Sequence, residues 1–154
     1  MYPWLVTLHL LGMVLFLLAH GVSIWVAFAV RGERRRDTVV ALLDLSRRAA
    51  QVIYLGLALL GIGGLGAAWS AGLLTAPWVV MSYAVVVVIL VAMFATASPY
   101  YHGLRAAIAG TAGEPPIDDD ALDRRLRTRR PELLATLGGV GLVSLVVLMT
   151  VKPG

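Results

Sequence analysis

The sequence predicts an all-α protein: a four-helix transmembrane bundle with both termini outside (N-out, C-out). Three observations carry that prediction. Four apolar segments, 4–30, 49–69, 77–101 and 133–151, each match the roughly 20 residues a helix needs to cross about 30 Å of hydrocarbon. All four run as continuous apolar stretches without the alternation of barrel strands, and in lipid only helices or closed barrels satisfy their own backbone. Twelve of the thirteen basic residues fall in the first and third connections, 31–48 and 102–132, which the positive-inside rule assigns to the cytoplasm.

The first segment, 4–30, contains no Asp, Glu, Lys or Arg. A removable signal peptide carries a positive n-region, and no Lys or Arg precedes Arg31, so the first span is expected to be retained. The second helix is expected to start ahead of its apolar part, at Thr38, with Asp37 as its cap. Its glycines, Gly56, Gly61, Gly63, Gly64 and Gly66, and the small-residue spacing Gly64, Ala68, Gly72 mark a face for close helix packing. They do not resemble a phosphate loop, because no Lys-Ser/Thr follows them. The third connection is broken by Gly110, Gly113, Pro115 and Pro116. Asp118, Asp119 and Asp120 ahead of an arginine-rich stretch suit the dipole of a short helix. Pro131 sits well in the first turn of the fourth span, where Ala135 and Gly139 repeat the small-residue spacing. Trp4, Trp69 and Trp78 fall at outer ends, and Trp25, Tyr100 and Tyr101 at inner ends, as interfacial aromatics do.

Composition agrees. The 154 residues form one transmembrane domain, 59% hydrophobic and 14% charged, with a mean hydropathy of +0.84. A soluble domain carries about 25% charged residues. The absence of cysteine excludes disulfides, thiolate metal sites, Cys nucleophiles and C-x-x-C-H haem attachment. No span holds a carboxylate, so paired-carboxylate acid–base chemistry is absent from the membrane. The basic balance follows topology and points to no nucleic-acid partner. Arginine outnumbers lysine twelve to one, a compositional pointer to a GC-rich genome and so to a bacterial cytoplasmic (inner) membrane.

The candidate functional residues are His9 and His20. An ionisable group inside a span is expensive and is by default a functional hypothesis. Eleven residues separate them, which returns to within roughly 20° of the same helix face, about 16 Å further along the axis. Neutral imidazole ligates haem iron or copper, so the stripe is expected to bind a b-type haem or a copper ion, in electron transfer. Met81 and Met93 fall near the depths of His9 and His20 and are candidate soft ligands. The rival expectation is interhelical hydrogen bonding, with Tyr54, Ser82, Tyr83, Thr96 or Ser98 as partners. His102, beside Tyr100, Tyr101 and Arg105, reads as an interfacial anchor.

The opening stretch LVTLHLLGMVLFLLAHGVSIWVAFAVRGE carries His9 in its first turns, a small residue three positions on, and a glycine in its inner half. In this it resembles the CopD-like group of bacterial membrane proteins and, more broadly, HemJ-type protoporphyrinogen oxidases and small four-helix membrane proteins. The resemblance covers about one quarter of the chain and implies copper handling or haem chemistry through His9. Phe16 and Leu17 stand where the tryptophan-glycine pair is expected, and no lysine occurs in the third span. The alternative expectation is a cofactor-free accessory or assembly subunit. It would use its glycine faces and basic connections to join a larger membrane complex or a homo-oligomer within the lipid bilayer.

Overall fold

A computed structural model describes residues 1–110 and 115–153; Gly113 lies outside the described residues. The chain forms α1 (Tyr2–Gly32), α2 (Arg36–Ser70), α3 (Pro77–Ala109), α4 (Asp119–Leu126) and α5 (Arg130–Val151). All four long helices, with α4 running into α5, are long and apolar enough to cross a membrane. The molecule is a four-helix transmembrane bundle with a short helix at one end. That end, which gathers the arginines, is called the basic end below.

The helices run well past the apolar runs that announce them. The 31 residues of α1 span about 46 Å, well over the hydrocarbon thickness. The first connection shrinks to Glu33–Arg35, because α2 begins at Arg36, ahead of the expected Thr38. Asp37 lies inside the first turn and Arg35 takes the cap position without a side-chain bond. Asp37 complements the helix dipole there instead of capping it. The Glu33 carboxylate accepts from Arg34 N and Arg35 N, at 2.9 and 2.8 Å, and ties the tight connection.

The other punctuation follows local chemistry. Gly72 takes φ +69°, and bonds from Gly72 N to Trp69 O and from Leu73 N to Ala68 O close α2 in a Schellman motif. It is therefore a turn residue and no part of a helix packing stripe. Pro131 occupies the first turn of α5 as expected, and Asp118, expected only to suit the dipole of a short helix, caps α4 by accepting from Ala121 N at 2.6 Å. Pro99 sits inside α3, where it removes one helical N–H. Membrane helices tolerate this.

The four long helices, taken in chain order, are neighbours in an up-down-up-down ring. The α1/α2 interface is the most extensive and the α3/α5 interface the next. A Cβ added at Gly12 would overlap Leu60 backbone, and one at Gly63 would overlap His9 backbone. At Gly56 it would stand 2.7 Å from Phe16 N. Glycine is required at these positions because the two backbones touch. The α3/α5 interface keeps one antiparallel register from Trp78–Lys152 through Ile89–Gly141 to Tyr100–Arg130. Here side chains meet, and Ile89 fills the space left by Gly141.

The best-buried core lies at the basic end. Val26 and Val30 of α1, Val39 and Leu43 of α2, Tyr100 and Leu104 of α3, and Leu122 and Leu126 of α4 form one cluster. Further along the bundle, Val87, Val88, Val91 and Phe94 of α3 and Val140, Val143 and Val147 of α5 lie exposed, as lipid-facing side chains do.

Candidate functional site

His9 and His20 stand at the seam between the α1/α2 pair and the α3/α5 pair. His9 lies over α2: its Nδ1 is 2.8 Å from the Leu60 carbonyl oxygen. A carbonyl only accepts, so Nδ1 donates, and in the neutral ring Nε2 is then the acceptor nitrogen. Gly64, one turn after Leu60, makes the contact accessible. A Cβ there would stand 2.8 Å from His9 Nδ1 and 3.5 Å from the Tyr83 hydroxyl of α3. An imidazole, a glycine and a phenol from three helices thus converge at one level.

His20 faces a different neighbour. Its Nε2 lies 3.1 Å from the place a Cβ on Gly138 of α5 would occupy. Its ring stacks on Phe16 one turn earlier, with centroids 5.3 Å apart and planes 9° apart. Both histidines therefore turn inward, as their shared stripe predicts, but they meet different helices. Bulky rings on α1 are matched by glycines on α2 and α5: His9 packs within the α1/α2 pair, and His20 reaches across the seam to α5.

The other polar candidates distribute elsewhere. Tyr54 is exposed. Ser82 donates to Trp78 O, Thr96 to Ala92 O, and the His102 ring contacts Ser98 O at 2.8 Å, all within α3. His102 is exposed near the basic end, where an interfacial anchor belongs. Among the described residues, no three His, Cys, Asp or Glu side chains gather where they would hold a metal ion. The partner sequence reasoning missed is the Leu60 carbonyl. The available signal was Gly64 at i+4, since a helical carbonyl followed by a glycine at that spacing is left uncovered.

The fit of haem or copper differs between the two rings. Close approach of Gly138 to His20 Nε2 leaves no slot for a macrocycle at that nitrogen. At His9, an Nδ1–H directed to a backbone carbonyl with Nε2 left as acceptor is the arrangement metal-bound histidines use.

The basic end is ordered by arginines. Arg36 of α2 donates to Ile117 O at 2.8 Å and Ile108 O at 3.0 Å, and reaches Asp119 at 3.4 Å. Arg105 of α3 donates to Leu43 O of α2 at 3.1 Å. Arg31 at the end of α1 pairs with Glu132 of α5 at 2.6 Å. Glu132 precedes the apolar run of α5, and its hydrogen bond from Arg31 together with the nearby positive charge holds its carboxyl below the usual range. Arg34, Arg35, Arg48 and Arg124 are exposed and make no ion pair among the described residues.

Compared with family models, characterised proteins and solved structures, the chain matches none of them.

Proposed function

We propose that this protein is a cofactor-free accessory subunit of a larger complex in the bacterial cytoplasmic membrane, with both termini outside and the basic end in the cytoplasm. The observation that carries this reading is the position of the best-buried core. Four helices converge on the Val26–Leu126 cluster directly beneath an arginine-covered surface, whereas the membrane-crossing stretches bury little. A well-buried core beneath a charged face supports the reading of that face as a rigid platform. The exposed Arg34, Arg35, Arg48 and Arg124 suit an acidic protein partner.

The test is affinity purification of the tagged full chain in a mild detergent. One larger complex should co-purify in fixed stoichiometry and be lost when Arg34, Arg35, Arg48 and Arg124 are changed together to Gln. A lone chain, unaffected by those changes, overturns the reading. Orientation is checked with single cysteines at Ser70 and Arg48, which should label from the outer and inner sides respectively.

A second reading is favoured by the His9 tautomer and follows the resemblance of the first span to CopD-like proteins. In it, His9 Nε2 holds a copper or haem iron, and His20 is tested beside it. Gently purified protein would show stoichiometric copper or a Soret band, removed by His9→Ala, while His20→Ala reports whether the second ring takes any part. Colourless, metal-free protein from cells supplied with both haem and copper eliminates this reading.

A further inference from the structure

A cleft of about 280 Å³ opens at the basic end, between the last turns of α3 and the α4–α5 junction. Its polar lining comes from Tyr100, Arg125, Thr128 and Arg130, and its apolar lining includes Pro99 and Leu104. Tyr100 is only 9% exposed, yet its hydroxyl has no hydrogen-bond partner. The Thr128 hydroxyl is likewise sheltered and unpartnered. Native proteins pair nearly all buried polar groups, so two orphan hydroxyls on residues that line one cleft need an explanation. At the same cleft, Arg125 and Arg130 are exposed and make no ion pair among the described residues. The Arg130 guanidinium stands over the Tyr100 ring, 6.0 Å from its centroid.

Two exposed guanidinium groups match a phosphoryl group, which accepts several charge-assisted hydrogen bonds at once, and the two orphan hydroxyls beneath the cleft surface become further donors once a bound headgroup draws their side chains outward. We infer that this cleft binds the phosphodiester headgroup of an anionic membrane lipid. A lipid fits better than free phosphate for two reasons. Part of the lining is apolar, and the cleft lies where α3 leaves its apolar run, at headgroup depth. Basic pockets between membrane helices bind acidic headgroups by this chemistry. The inference rests on the membrane reading and uses the same basic end as the proposed docking face. It does not require a protein partner.

The test titrates the purified full chain in detergent with dioctanoyl phosphatidylglycerol, dioctanoyl phosphatidylcholine or inorganic phosphate, reading the rise in melting temperature. Phosphatidylglycerol should stabilise saturably, with little effect from phosphatidylcholine. Tyr100→Phe removes an unpartnered hydroxyl, so the unliganded protein should melt no lower than wild type, while the lipid midpoint weakens about tenfold. Thr128→Val should weaken it in the same direction, and Arg130→Gln more. Arg48→Gln, outside the cleft, should titrate as wild type. Equal stabilisation by phosphatidylcholine, or wild-type titration by both Tyr100→Phe and Thr128→Val, overturns the site. Inorganic phosphate saturating at the same concentration as phosphatidylglycerol overturns the lipid and leaves a free-phosphate site. Failure of the docking reading would appear separately, as a missing complex with the lipid titration intact.

Discussion

Along α1/α2, three glycines set backbone against backbone; along α3/α5, a single glycine receives a single isoleucine and the rest of the contact is side chain on side chain. The first interface has no slack, because neither a Cα nor a peptide carbonyl can rotate away. The second can adjust through rotamers. The two pairs then meet across a wider seam, bridged by His9 near Tyr83, His20 against Gly138, and Arg31 with Glu132. Tight and loose contacts thus alternate around the ring. Substitutions of the same type should have graded effects depending on which contact they enter.

The largest effect is expected at Gly63. A leucine there meets His9 backbone and the Leu5 carbonyl, neither of which can yield without separating the helices. Gly63→Leu should cost about 3 kcal/mol, the upper part of the range for overpacking. Thermal unfolding in detergent checks it against Gly61→Leu, where a Cβ meets nothing within 4 Å and the change should be under about 0.5 kcal/mol. Equal melting of the two variants would mean that the backbone contact does not exist.

At the seam, the obstacle is a ring that can turn. Gly64→Leu should displace His9 from Leu60 and crowd Tyr83, costing about 2 kcal/mol. His9→Leu tests the hydrogen bond alone and should cost roughly 0.6 kcal/mol, the average for such bonds between membrane helices. If the two cost the same, Gly64 is only a means of exposing the carbonyl.

Within α3/α5, Gly141→Ala drives a methyl into Ile89 and should cost about 1 kcal/mol. Shortening the neighbour should recover most of it, so Gly141→Ala with Ile89→Ala should melt closer to Ile89→Ala alone than additivity predicts. No such rescue is available at Gly63, where the contact is with backbone.

The four crossings were legible because hydropathy integrates over about 20 residues, and single errors average out. Pairing was not, because it depends on which glycine faces which helix. Gly64 lies at small-residue spacing and at a contact; Gly139, at the same spacing, has nothing within 4 Å, and its neighbour Gly138 faces His20. One residue along a helix turns the side chain by about 100°, and small-residue spacing has no means of choosing the origin. Gly72 fits the same pattern and belongs to a turn. The short helix after Asp118 and the first turn at Pro131 were readable because helix starts depend on residues a few positions away. The histidines' inward direction was legible from their stripe, but their partners were not. Leu60 contributes only a carbonyl, which every residue has, and the cleft at Tyr100 is assembled from residues of α3, the α4–α5 junction and α5.

The smallest effect belongs to Arg31–Glu132, the polar bridge between α1 and α5 at the basic end. Both side chains are partly exposed, so the pair is worth little in dilute salt and less at high salt. Its signature is a pH dependence. Arg31 lowers the folded-state pKa of Glu132 below its unfolded value, near 4.3 for a free glutamate. The contribution is therefore fully present above about pH 4.3, and it is lost as pH falls through the lower folded value. Glu132→Gln should melt slightly below wild type at pH 7, with the gap closing as the pH falls well below 4 and also closing at pH 7 in about 1 M salt. Gly63→Leu should keep its deficit under all of these conditions, because a steric overlap is neither titrated nor screened. A gap for Glu132→Gln that persisted at low pH would show that its side chain acts through packing against α1, which would make the seam as rigid at this end as the α1/α2 interface.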